Sequence, residues 1–164
     1  GQAVAEGIAG SEEAFAKQMN DTAKKLGMTN SNFKDSSGWP NPEHLTTAHD
    51  LAVLATALIR DFPQYYHYLS EREFTYHGIR QFNRNLLLGN PSLQVDGLKT
   101  GHTDAAGYGI TLSAKDPVSG RRLVLVVNGL DSEAARAQEG ASDGLVGRIP
   151  VRAGDDRLSD CVRA

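Results

Sequence analysis

The chain carries one cysteine, Cys161, among 164 residues, which excludes an internal disulfide and any cysteine-rich metal centre. It has no apolar run long enough to cross a bilayer. Residues 1–9 are small and slightly acidic and lack the basic start of a signal peptide, so an export signal, if the intact protein is exported, is expected upstream of Gly1. A membrane anchor is likewise not expected within the chain. With a net charge of −3 and scattered Lys and Arg, there is no basic stripe of the kind that holds nucleic acid. His44, His49, His67 and His77 lack metal-ligand spacing, which leaves them surface or core roles. Internal repeats and low-complexity segments are also missing. What remains is a composition that is 40% hydrophobic, enough for one globular domain with its own core.

Local patterns then divide the chain. Ser11 followed by Glu12 and Glu13 reads as a helix N-cap with acids in the first turn, and Phe15, Met19, Ala23 and Leu26 repeat at helical spacing. Lys24 and Lys25 suit the negative end of that helix, and Gly27 stops it. Residues 30–42, rich in Asn, Ser, Gly and Pro, read as a long loop. Thr47 with Asp50 resembles a capping box and opens a second helix carrying Leu51, Leu54, Ala55 and Leu58, closed by Phe62-Pro63. Phe74-Thr75-Tyr76 is a short strand-like run, whereas residues 78–90 read as a loop. Residues 109–114 and 121–128 are two strand-like runs joined by a turn at 115–120, the second with a segment, 123–127, apolar enough to be buried on both faces. Residues 132–139 look like a helix start that lacks an apolar face, and beyond 140 no period of either kind is sustained.

Chemistry concentrates at Lys99-Thr100-Gly101-His102-Thr103, which follows the alternating Leu93 and Val95 and so sits on or at the end of a strand. An ammonium and a hydroxyl there can face a carboxylate or a developing oxyanion, and Gly101 leaves the backbone open to close approach. The plain alternative is a surface lysine before a turn. Lys-Thr-Gly is one of three motifs of the penicillin-binding proteins and class A β-lactamases, beside Ser-x-x-Lys and Ser-Asp-Asn. Ser31-Asn32-Phe33-Lys34 fits Ser-x-x-Lys as a string, but it lies in the loop rather than at a helix start, where one turn would carry the amine over the hydroxyl. It is read as coincidence.

The flanking residues make the likeness specific. Val95-Asp96-Gly97-Leu98-Lys99-Thr100-Gly101-His102-Thr103-Asp104-Ala105-Ala106-Gly107-Tyr108 resembles the third-motif region of the low-molecular-mass penicillin-binding proteins, the serine D-alanyl-D-alanine carboxypeptidases of peptidase family S11. Leu26-Gly27-Met28, Thr47-Ala48-His49-Asp50-Leu51-Ala52, Ala57-Leu58-Ile59-Arg60-Asp61-Phe62-Pro63 and Gly78-Ile79-Arg80-Gln81-Phe82-Asn83-Arg84-Asn85 resemble the same family, in its order, over residues 1–140. The resemblance implies an α+β fold, the C-terminal part of a β-lactamase/transpeptidase-like domain with an antiparallel sheet flanked by helices. Residues 1–140 are then a partial catalytic domain and 141–164 an atypical tail. Back-translated with the wobble bases chosen freely and read one base out of frame, residues 140–150 permit the family's covering-helix pattern, so the tail is expected to be out of frame or else a divergent, disordered terminus.

The same resemblance implies a serine-type acyl transfer without cofactor or metal, acting on peptidoglycan stem peptides ending in D-Ala-D-Ala and inhibited by β-lactams, in the periplasm or another extracytoplasmic part of the envelope. Lys99 is expected to bind substrate, with Thr100, Gly101 and His102 lining the same groove. Arg84 and Arg136 are expected near the terminal carboxylate, an ordinary ion pair being the alternative for each. In the family a serine attacks the peptide carbonyl, a lysine one turn later takes its proton and a second serine passes that proton to the leaving D-alanine. Those residues are expected upstream of this chain, which then supplies no nucleophile or base of its own. Two other readings stay open: a catalytically inactive peptidoglycan-binding module, and a β-lactamase-related hydrolase. The latter needs an acidic deacylating residue before Lys99, for which Asp96 and Glu71 are the nearby acids.

Overall fold

The computed structural model describes residues 1–90, 93–116 and 119–142. It divides into two compact units, Gly1–Leu54 and Ala55–Ala164. Among the described residues no helix is long and apolar enough to cross a membrane.

The first unit opens with α1 (Gln2–Ala9), packed on α2 (Glu12–Leu26). Ser11 caps α2, its hydroxyl accepting from the Ala14 amide at 3.1 Å, and Gly27 ends it in the left-handed conformation at φ 87°. Both ends therefore fall where the capping chemistry sets them. The loop that follows has little regular structure beyond one antiparallel bridge between Asn32 and Leu45. It is fixed instead by a buried carboxylate at the start of α3 (Ala48–Asp61). Thr47 caps that helix, its hydroxyl accepting from the Asp50 amide at 3.1 Å. Asp50 does not complete a capping box. Its Oδ2 accepts from the Asn30 amide at 2.8 Å and the Ser31 hydroxyl at 2.7 Å, and the side chain is wholly inaccessible. Burial pushes its pKa up, but the bonds from Ser31 and Asn30 and the neighbouring His49 outweigh this and hold it below the usual value.

The second unit holds a 3₁₀ helix (Pro63–Ser70), a hairpin of β1 (Glu73–Tyr76) and β2 (Ile79–Phe82), and an antiparallel sheet of β3 (Gln94–Thr103), β4 (Gly107–Lys115) and β5 (Arg122–Leu130) in that order. The expected loop at 78–90 thus begins as a strand. His77 and Gly78 both take positive φ, 48° and 77°, between the paired Tyr76 and Ile79, which is the geometry of a two-residue hairpin turn. In the larger sheet, Ile110 and Leu112 of β4 are at most 2% exposed and meet Leu87, with Leu93, Val95, Leu125, Val127 and Ala141 packed around them. Burying each such large side chain stabilises the unit by about 1.5–3 kcal/mol. Within 123–127 only Val126 is buried and its neighbours are partly covered.

A helix, α4 (Glu133–Ser142), lies against β4 and β5. It starts where Ser132 accepts from the Ala135 amide at 3.0 Å. The expected absence of an apolar face is corrected by size rather than by hydrophobicity. Gly140 comes so near Leu87 that a Cβ there would sit 2.8 Å from Leu87 Cδ1, and Ala141 joins the core. Small residues let the helix backbone close on Leu87 and the core around it. The tail expected at 141–164 lies beyond the described residues except for the last helical positions.

Candidate functional site

The register of β3 on β4 decides which side chains share a face. Val95 opposes Ala114 but Gly97 opposes Ser113, so Asp96 is an extra residue, a β-bulge. After it, Leu98 opposes Leu112, Thr100 opposes Ile110 and His102 opposes Tyr108. These three therefore lie on the core side of the sheet, towards α4, and Lys99 lies on the other. Leu98 and Thr100 are buried, and Lys99 is exposed.

Thr100, Gly101 and His102 line a cavity of about 300 Å³ together with Arg84, Tyr108, Glu133 and Arg136. Five of the six residues expected from the sequence are thus brought together. Lys99 is not among the lining residues. Its ammonium turns back over the strand and donates to the Thr100 carbonyl. Partial burial and the positive charges of Arg84 and Arg136 hold its pKa below the usual lysine value. The cation thus lies within electrostatic reach of the cavity without lining it.

Each lining group is placed by local sequence. Asn83 and Asn85 build the loop that presents Arg84. The Asn83 side chain donates to the Glu71 carbonyl at 2.9 Å and accepts from the Asn85 amide at 2.9 Å. The buried Asn85 side chain accepts from the Leu87 amide at 3.1 Å. Arg84, between these anchors, is exposed. Arg136 is only 4% exposed and donates through one nitrogen to the Arg84 carbonyl at 2.9 Å and to Glu133 at 2.7 Å, one helical turn earlier. Its guanidinium lies 5.6 Å from the Tyr108 ring centroid, and the Tyr108 ring stacks on His102 at 3.9 Å and 30°. At the hairpin tip, Gly107 takes φ 67°, and a Cβ there would lie 2.8 Å from the Leu130 carbonyl oxygen. Only glycine fits.

Sequence reading missed Tyr108 and Glu133 as lining residues. Both were reachable: Tyr108 pairs with His102 once the 103–107 turn is placed, and Glu133 precedes Arg136 by one helical turn. The lining thus includes two arginines, a histidine, a threonine, a tyrosine and a single acid. Such a lining suits an anion. Ser31, in the other unit, is bonded to Thr46 at 2.8 Å and to Asp50, while Lys34 pairs with Glu43 at 3.0 Å. That serine and lysine have separate partners, as expected of a coincidental string. Asp96 is engaged by Arg122 at 2.6 Å and Tyr66 at 3.2 Å. Among the described residues no group of three His, Cys, Asp or Glu could hold a metal ion.

Comparison with known proteins is consistent across sequence and structure. The family described as D-alanyl-D-alanine carboxypeptidase, Peptidase S11, matches residues 2–132. D-alanyl-D-alanine carboxypeptidase DacD of Escherichia coli is 44% identical over 137 residues, covering 84% of this chain and 35% of the relative. DacA of the same organism is 46% identical over 114 residues, covering 70% of this chain and 28% of the relative. The chain therefore spans about a third of the length of the curated relatives it matches. Among solved structures, penicillin binding protein 5 from Haemophilus influenzae superposes with a TM-score of 0.81 at 38% identity, covering 85% of this chain and 40% of that one. Penicillin binding protein 6B from Escherichia coli gives 0.78 at 43% identity, covering 85% and 43%. The expected α+β fold of the transpeptidase type is thereby established.

Proposed function

The chain belongs to the Peptidase S11 family of D-alanyl-D-alanine carboxypeptidases, and from that premise we propose that it supplies the substrate-carboxylate half of a serine D-Ala-D-Ala carboxypeptidase. The enzyme removes the terminal D-alanine of peptidoglycan stem peptides through an acyl-enzyme and works in the periplasm or an equivalent envelope compartment. The observation that carries this reading is the cationic cavity around Thr100, Gly101 and His102, closed by Arg84 and the buried Arg136. A peptide laid along β3 brings its terminal carboxylate to those groups, and Lys99 adds positive potential from the strand edge. The serine nucleophile, its lysine base and the second serine lie outside these 164 residues in this reading. Residues 100–102 bind and orient while Lys99 adds charge, and none of the four attacks or accepts the serine proton in this reading.

Binding without chemistry is the reading of an inactive peptidoglycan module, and hydrolysis of β-lactams that of a related lactamase. Against the second stands Asp96, whose Oδ1 is engaged by both Arg122 and Tyr66, an ion-paired setting that disfavours its acting as a base toward a deacylating water. Two proteins separate the readings: the full-length gene product and residues 1–164. The full-length product is expected to release D-alanine from a diacyl-Lys-D-Ala-D-Ala peptide and to take up one fluorescent penicillin. Residues 1–164 are expected to do neither, for want of a nucleophile and base. A full-length product that binds the peptide but is never acylated overturns the proposal, as does covalent labelling of residues 1–164 at Ser31.

A further inference from the structure

The proposed carboxylate site depends on a single extra residue. Without a bulge, a strand that pairs Val95 with Ala114 pairs Lys99 with Ile110, placing the ammonium in the apolar core and turning Thr100 and His102 to the opposite side. A slip of one residue inverts every side chain that follows. The observed pairing, Gly97 with Ser113, avoids this by leaving Asp96 unpaired.

Asp96 is held directly from two elements and, through Arg122, from a third. Its Oδ1 accepts from Arg122 at the start of β5 at 2.6 Å and from the Tyr66 hydroxyl of the 3₁₀ helix at 3.2 Å. The same Arg122 nitrogen donates to the fully buried Ser113 hydroxyl of β4 at 2.5 Å, directly opposite the bulge. The Arg122 guanidinium also stands 5.0 Å from the Tyr66 ring centroid. A Cβ on Gly97 would lie 2.6 Å from the Tyr66 hydroxyl, so glycine at this position lets the tyrosine close over the bulge. Every strand of the sheet and the helix above it thus contribute to one cluster, and none of its members lines the cavity.

We propose that Asp96, clamped by Arg122 and Tyr66, is a positioning residue that fixes the bulge and so turns Thr100 and His102 into the cavity and Lys99 to the opposite side. It touches no substrate, and its effect passes through the strand. The consequence for acylation rests on the function proposed above, whereas the consequence for strand register does not.

The test uses the full-length gene product and its Asp96→Ala and Tyr66→Phe variants, with two readouts. Fluorescent penicillin gives both the labelled fraction and the acylation rate constant. A purely structural role lowers the fraction. A positioning role lowers the rate constant of the fraction that labels, expected to fall about tenfold or more in Asp96→Ala and about threefold in Tyr66→Phe, which deletes one donor only. Asp96→Ala rate constants within twofold of the parent overturn the proposal, and where that variant does not fold, an unchanged Tyr66→Phe rate constant does so. Amide hydrogen exchange supplies the second readout, independent of activity. Protection at Leu98, Thr100 and His102 is expected to fall in Tyr66→Phe and further in Asp96→Ala, while the β4–β5 amides keep theirs. Unchanged β3 protection in both variants overturns the proposal, even if the parent protein is never acylated and the functional reading fails by itself.

Discussion

His102 and Tyr108 face each other across the β3–β4 hairpin with ring centroids 3.9 Å apart, and the Arg136 guanidinium lies 5.6 Å from the tyrosine centroid. The two rings connect the Lys-Thr-Gly strand to α4, so the strand that carries Thr100 and His102 and the helix that carries Arg136 share one wall. Replacing Tyr108 by Leu keeps much of the apolar area but removes the stacking and the cation–π contact. A loss of about 0.5–1.5 kcal/mol in transition-state binding is expected. It is read as a severalfold drop in the acylation rate constant of the full-length protein.

The depressed pKa of Lys99 gives a second expectation. Burial and the charges of Arg84 and Arg136 disfavour the ammonium, so it deprotonates at lower pH than an ordinary lysine. If protonated Lys99 assists acylation, the alkaline limb of the pH–rate profile lies below the usual lysine range. Arg84→Gln removes one repelling charge and is expected to move that limb to higher pH. A limb that stays put or moves down contradicts the electrostatic coupling.

Asp50 supplies a test of stability. Its folded-state pKa lies below the unfolded value, so its contribution is fully present above the unfolded pKa and is lost as pH falls through the folded one. Asp50→Ala leaves the Asn30 amide and the Ser31 hydroxyl without their acceptor and is expected to cost about 2–3 kcal/mol near neutrality. Urea unfolding at neutral pH and at about pH 3 checks the sign, since the penalty of the variant shrinks as the parent's carboxylate is protonated.

Gly140 makes the packing of α4 testable. A Val there meets Leu87, because even a Cβ falls 2.8 Å from its Cδ1. Overpacking of this kind is expected to destabilise the protein by about 1–3 kcal/mol, measured as a fall in the urea midpoint. Gly7, on α1 with nothing near its Cβ position, provides the control, since Gly7→Ala is expected to be neutral or stabilising.

Much of this arrangement was legible in the sequence, and the rest was hidden for identifiable reasons. Ser11, Gly27 and Thr47 mark helix ends because capping is local chemistry that one side chain and one amide complete. The β4–β5 hairpin was visible because its strands alternate or are continuously apolar around a Gly-containing turn. The β1–β2 hairpin was not, since His77 occupies a positive-φ turn position where Asn or Asp usually signals the bend. The start of α4 was visible at 132–139 but its packed face was not, because Gly140 and Ala141 bury a face by closeness rather than by hydrophobic size. In the candidate site, Thr100, Gly101 and His102 were picked out by the Lys-Thr-Gly motif, and Arg84 and Arg136 by the family resemblance. The separation of Lys99 from the cavity lining was not, because the bulge at Asp96 depends on Tyr66 and Arg122, which are distant in the chain.

The central claim is that Thr100, His102, Arg84 and Arg136 receive a substrate carboxylate. The most direct measurement compares D-alanine release by the full-length gene product from a diacyl-Lys-D-Ala-D-Ala peptide with release of D-alaninamide from its C-terminal amide, in the parent and in Arg136→Gln. The parent is expected to favour the free acid by a factor of about ten or more, and Arg136→Gln to lose most of that preference by slowing on the acid alone. Equal rates on acid and amide in the parent, or a preference that survives Arg136→Gln unchanged, would contradict it.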